Sequence, residues 1–559
     1  MTSQAPLSPV HHDTHSLPTT SQHASPSTDA PVVSHCSATD DIQAICDLDE
    51  LLSRIGFGRF QQRILVLCGL GWFADNANSW CACIATILPR VQEHFDVPTK
   101  TVGLMSSCVF IGMMLGALFW GLLSDRWGRK LAFNATMVIG AVFGMASAFS
   151  PSFPVLCVLL LLVGFGVGGN MPVDGALFLE FMPRENQYLL TTLSIFFSLG
   201  AAFSSGIAWG ILPPYSCPDP AKQPADAPPI VCEPSRENNG WRYLLFLLGA
   251  VNLAMFLARI LLFRLQETPK YLLAHGKHQE TVQVLRVIAQ VNRSSVEVTL
   301  DDLPVQYTPI TAEKTSEADA KSGGSPDEDG VLDGNSGADD LTRMRASPTE
   351  RLRRLFSLDA LRPLFSQALI RTTLLIWAIW VFVALSYTMF NVFLPKFLES
   401  RGVGTTQPPR EQVYRDYFIY SAVGFPGSIL GGWMAETQLG RRGSMIVSTL
   451  GTAACMFVFV GVSSDAGTLA STCAISLLST VMYAVIYSYT PEVFHARFRG
   501  SACGIASALG RLVSIVAPLL TGVLLEQSVS LPLYVSAAGF AITGICMALL
   551  PIETRGRAN

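Results

Sequence analysis

The chain has 559 residues, of which Lys, Arg, Asp and Glu make 14%, against roughly a quarter in an ordinary soluble domain, and half are apolar. With a mean hydropathy of +0.39, it is not a soluble multidomain enzyme and needs lipid as solvent. A formal net charge of -4 gives nucleic-acid binding no support.

Residues 1-62 read as an N-terminal tail. Its first 40 residues, rich in His, Ser, Thr and Pro, lack a basic n-region and an apolar run, so no cleavable signal peptide is expected and the segment is predicted to be disordered. His11, His12 and His15 belong to that solvated tail rather than to a metal tract. Asp47 to Leu52 (D-L-D-E-L-L) matches an acidic dileucine sorting pattern, but the same residues make a short amphipathic helix before the first span, which is the favoured reading.

Apolar runs of about 20 residues place spans at 63-88, 101-122, 131-149, 154-178, 188-212, 241-264, 369-394, 412-435, 444-463, 467-489, 500-525 and 531-550. All should be helical, because lipid offers backbone amides no other partner. The domains are thus a six-helix half over 63-264, a central loop over 265-368, a second six-helix half over 369-550 and a short tail, 551-559. The central loop opens with helical periodicity. It then turns acidic between Glu297 and Asp340 and arginine-rich from Arg343 to Arg362. Arginines in the short loops after the second, eighth and tenth spans put those loops, the central loop and both termini in the cytosol. Cys217 and Cys232 alone share an outside loop and are expected to pair. The sequons at Asn134 and Asn292 fall in a span and in the cytosol, so neither should carry glycan.

The halves repeat. G-L-L-S-D-R-W-G-R-K (Gly121 to Lys130) follows the second span and G-W-M-A-E-T-Q-L-G-R-R (Gly432 to Arg442) the eighth; Asp125 and Glu436 are 311 apart, Glu180 and Glu492 312 apart. Equal offsets at independent markers imply parallel repeats. Together with Gly56 to Gln61, Trp72 to Asp75, Glu267-Thr268-Pro269-Lys270, Pro491-Glu492 and Pro551 to Gly556, these stretches resemble the major facilitator superfamily over 55-557. Within it, the resemblance is to the synaptic-vesicle-protein-related and sugar-porter-like branch. It implies an all-α membrane protein of twelve helices in two parallel-repeat halves. It also implies a gating cluster of Gly121, Asp125, Arg126, Gly128, Arg129, Glu180, Glu267, Glu436, Arg441, Glu492, Arg499 and Glu553 that latches the halves in one state and breaks in another. Where sugar porters carry paired glutamines in the seventh span, this chain reads Trp377-Ala-Ile-Trp380, which argues against a hexose site.

Ionisable groups at membrane depth are costly and therefore candidates. Asp75 falls near the midplane on a small, polar stripe with Gly71, Asn78 and Ala82. Asn170 and Asp174 form an i, i+4 pair in the fourth span, where Gly164, Gly168 and Gly175 permit close helix approach. Arg511 lies at mid-depth in the eleventh span and must meet an acid, helix carbonyls, water or an anionic substrate, whereas Arg259 can snorkel. Tyr387, Asn391, Tyr483 and Tyr487 compete between lining a cavity and packing. Ser194, Ser198, Ala201 and Ser205 read as a packing stripe. The expectation is a secondary transporter of a small organic solute with protons as the coupling ion, monomeric, in the plasma membrane, without cofactor or metal. The rivals are a non-transporting sensor or scaffold and a sugar facilitator. No nucleophile, base and oxyanion set supports an enzyme.

Overall fold

A computed structural model describes residues 48–78, 82–190, 192–218, 232–262, 265–303, 365–366, 369–400, 408–462, 464–494 and 496–554. Every regular element among them is helical. Ten helices are long and apolar enough to cross a membrane. The other two spans are the first, in two pieces (Arg59–Asn78 and Ala82–Phe95), and the eighth, Arg410–Glu436, whose charged residues gather at its start. The second to sixth spans are Leu104–Trp127, Arg129–Ser147, Phe153–Phe181, Leu193–Ile211 and Gly240–Leu262. The seventh is Ile370–Asn391, and the ninth to twelfth are Gly440–Gly461, Asp465–Val493, Ala496–Gln527 and Leu531–Ala548. The N-terminal tail, most of the acidic stretch and the arginine-rich segment before the seventh span lie outside the described residues.

The two halves pack alike. The fourth span lies against the second and third, as the tenth lies against the eighth and ninth; the third pairs with the sixth as the ninth does with the twelfth. The first meets the fifth and the seventh meets the eleventh. Gly164 and Gly168 let the fourth span rest on the backbone of the second at Val109 and Met113, while Gly175 touches no neighbouring backbone. Across the halves, the fifth span packs on the eighth and the second on the eleventh.

One end of the bundle carries the arginine loops. There Gly128 (φ 101°) and Gly440 (φ 69°) adopt backbone that L side chains rarely take; the third span starts immediately after Gly128 and the ninth at Gly440 itself. Glu267 accepts from the Arg129 backbone N–H at 2.9 Å, and Glu553 accepts from those of Arg441 and Arg442 at 3.0 Å, so each acid satisfies helix-start donors. Residues 48–55 are helical and bury Leu48, Leu51 and Leu52 in a cluster with Leu272, Leu285 and Ile288 of Pro269–Ala274 and His278–Asn292. Lys270 pairs with Asp49 at 2.6 Å. Asn292 donates to Gln61 Oε1 at 2.8 Å and accepts from Phe60 N at 2.9 Å. At the opposite end, Cys217 and Cys232 are joined in a disulfide.

Candidate functional site

Between the halves lies a cavity of about 270 Å³. Trp72, Asn76 and Met171 line it from the first and fourth spans and Ser194, Phe197, Ser198 and Ala201 from the fifth; the second half contributes Trp380, Tyr387, Asn391, Tyr417, Tyr420, Ser476, Tyr483, Tyr487 and Arg511. Its wall is a connected polar and aromatic lattice. Asn391 Nδ2 donates to the hydroxyls of Tyr387 (3.1 Å) and Tyr420 (2.7 Å), and Trp380 Nε1 donates to Thr490 Oγ1 at 3.1 Å. The Tyr387 and Tyr483 rings meet edge to face at 5.0 Å, as do those of Trp380 and Tyr487 at 5.2 Å. Such bonds hold the rings in fixed orientations. The fifth-span stripe thus differs from its packing expectation. Ser194, Ser198 and Ala201 face the cavity, and Ser198 bonds Ser428 across the halves at 3.0 Å, while Ser205 bonds the Ala201 carbonyl.

Arg511 lines the same cavity. Its guanidinium donates to the Met113 carbonyl of the second span at 3.1 Å and has no carboxylate within ion-pair distance among the described residues. A helix carbonyl takes one of its donors and leaves the rest facing the cavity region.

Behind the first-half wall sits a closed polar group. Asp75 is 2% exposed and accepts a hydrogen bond from Asn170 Nδ2. Asn170 therefore serves Asp75 rather than Asp174, against the i, i+4 expectation. Asp174, fully buried, pairs with Arg259 at 3.5 Å. Arg259 does not snorkel: it is 2% exposed, donates to the carbonyls of Phe133 (2.8 Å) and Leu67 (3.1 Å), and lies over the Phe133 ring. An acid on the fourth span holds it in, because the desolvated pair costs less than either charge alone. Gly71 makes room for this pair, since a Cβ there would collide with the Asp174 carboxylate. The side chain of Asn78 lies outside the described residues.

At the arginine end, Arg129 pairs with Glu180 at 3.1 Å and Arg441 with Glu492 at 2.6 Å, each partner 312 residues on. Thr268 adds a bond to Glu180, and Glu436 lies 3.4 Å from Arg441. Both clusters stay within their own halves, so these pairs do not latch the halves together in this state. The side chains of Asp125, Arg126 and Arg499 lie outside the described residues; Gly121 is partly buried in the second span.

The ion pairs that do join the halves, among the described residues, lie at the disulfide end, where sequence reasoning placed no gate. Arg90, 1% exposed, pairs with Glu399 of the second half and with Glu93 at 3.0 Å; Arg410 reaches Glu93 at 3.2 Å and the Cys217 carbonyl at 2.6 Å. Lys396 donates to Gln92. Burial pushes the Glu399 carboxyl above its ordinary range, with Arg90 opposing, Glu93 reinforcing, and Arg410 and Lys396 opposing.

A profile described as Major Facilitator Superfamily matches residues 65–465 and 417–559. The chain belongs to the Major Facilitator Superfamily. It is 34% identical to the MFS siderochrome iron transporter 1 of Ceriporiopsis subvermispora over 91% of this chain and 90% of that one. It is 27% identical to the synaptic vesicle 2-related protein of Rattus norvegicus over 93% and 82%. A partially occluded inward-open structure of the xylose transporter XylE from E. coli superposes with a TM-score of 0.63 at 15% identity, over 91% of this chain and all of that one. As a Major Facilitator Superfamily member, the chain is a multi-pass membrane protein of a transporter family, with twelve helices in two repeated halves. Its cavity lies at their interface, where this fold holds its substrate.

Proposed function

We propose that the chain is a secondary active transporter of a small organic solute, working by alternating access between its six-helix halves. The carrying observation is the cavity shared by both halves, shut at one end by Arg90–Glu399 and Arg410–Glu93 while the arginine-end clusters stay within their halves. Rocking that breaks the first set would open the cavity to the other side. The arginine bias supports a cytosolic arginine end, with both termini and the central loop on that side, and hence an inward-facing reading of this state in a plasma-membrane carrier. Asp75, enclosed beside the cavity wall and bonded to Asn170, is the proton-carrying group in this reading.

The test is cysteine accessibility in sealed vesicles. Ser198→Cys and Ser476→Cys should react with impermeant reagent from the arginine end and, in a smaller fraction of molecules, from the disulfide end. Reactivity confined to one side under every gradient and solute condition would sink the transport reading and leave a non-transporting sensor.

A further inference from the structure

Resting on that reading, we propose that the cargo is a small organic monoanion with an apolar or aromatic body, whose carboxylate pairs with Arg511. Among the described lining residues Arg511 is the single formally charged side chain, and no acid shares the wall with it. Among the described residues its one hydrogen-bond acceptor is the Met113 carbonyl. The acid deepest in the fourth span is not available to it, because Asp174 is matched by Arg259 within the first half.

A cation in this cavity would meet Arg511 at low dielectric, where like charges repel strongly. A neutral solute would leave the guanidinium no ionic partner in the cavity, only the charge of Asp75 behind the wall and beyond ion-pair distance. A carboxylate gives it a charge-assisted pair matched to its planar fork. The rest of the wall suits an uncharged body. Tyr387, Tyr483, Tyr487 and Trp380 supply ring faces and edges, and a volume of about 270 Å³ fits a molecule of one ring rather than a large chelate. Because Arg511 already bonds the second span of the other half, a ligand on it touches the interface that rocking must rearrange.

The experiment uses the full chain in nanodiscs and compares the carboxylate, carboxamide and aminomethyl forms of benzene and cyclohexane as thermal stabilisers. The carboxylates should raise the melting temperature at millimolar concentration and the matched amides and amines should not. Arg511→Gln should weaken carboxylate binding roughly tenfold to a hundredfold, and Arg511→Lys, which keeps the charge but not the fork, by less. An amine or amide that stabilises as well as its carboxylate overturns the proposal, as does carboxylate binding undiminished in Arg511→Gln, or no stabilisation by any carboxylate. The ligand series on the unmodified chain decides the matter even if a variant fails to fold. Counterflow in proteoliposomes separates the two levels. Carboxylates that bind yet never exchange across the bilayer would remove transport and keep the anion site, whereas exchange of amines alone would keep transport and remove the anion.

Discussion

The guanidinium of Arg90, at the end of the first span, is paired with the carboxylate of Glu399, just past the seventh, so one ion pair bridges the halves where the cavity is shut. Arg90 is almost wholly enclosed and is paired with Glu399, so removing the cation strands a largely buried carboxylate. Arg90→Met should open the disulfide end by about 2 kcal/mol, a roughly thirtyfold population change, after discounting for the partial exposure of Glu399. Adding Glu399→Met should recover part of that loss, because it removes the stranded charge. Spin labels at exposed Glu237 and Val529 would report the opening as a longer distance; no recovery in the double variant would mean that the pair does not act as a lock.

The same acid sets a pH dependence whose sign runs against intuition. In the closed state Glu399 sits above its ordinary value because it is buried. Opening exposes it and returns it toward ~4.3. The closed state therefore binds the proton more tightly, and acidification through that interval favours closure; the contribution is lost as pH rises through the raised value. The spin-label distance should shorten as pH falls, and Glu399→Gln should flatten the response. Opening on acidification would contradict it.

Asp75→Asn keeps an oxygen to accept from Asn170, so the fold should survive. Because the substituted amide carries no exchangeable charge, accumulation driven by a proton gradient should vanish while substrate exchange in proteoliposomes persists. Gradient-driven accumulation in the variant would remove Asp75 from proton coupling. Loss of exchange too would make it a substrate contact.

Arg259→Met strands the Asp174 carboxylate in the first half and should destabilise the protein by about 3–5 kcal/mol, whereas Asp174→Asn with Arg259→Met should recover most of that loss. Thermal unfolding in detergent measures both. Equal losses in the single and double variants would show that Arg259 acts through its bonds to Phe133 and Leu67 instead.

Arg129→Ala should lower transport per surface molecule well beyond any loss of surface protein, because Arg129 ties Glu180 to the second-span loop rather than filling a core. Uptake normalised to surface protein checks this. Unchanged uptake would leave the loop a topogenic role only.

Spans and repeat were legible because hydropathy and equal offsets are local or periodic signals. Arg129, Glu180, Arg441 and Glu492 could be matched by number alone before any contact was seen. Arg259 could not, since its fate depends on the register of the sixth span against the fourth, and sequence carries no record of which acid stands opposite. Arg90, Glu93, Glu399 and Arg410 looked like ordinary charges at span ends; only the approach of two halves makes them a lock. Ser198 and Ala201 show a third limit. Small residues at helical spacing permit packing and border a cavity alike, and the outcome depends on whether a neighbouring helix arrives.

Leu51 and Leu52 have a bearing on trafficking. A receptor reading D-L-D-E-L-L needs both leucines extended and available, yet both are enclosed beneath the helices of the central loop. Withdrawing them forfeits about 1.5–3 kcal/mol of burial apiece, besides the Lys270–Asp49 pair. In the assembled molecule that address is mute. It becomes readable where this layer has come apart, so sorting machinery tuned to it would meet damaged or unfinished copies first.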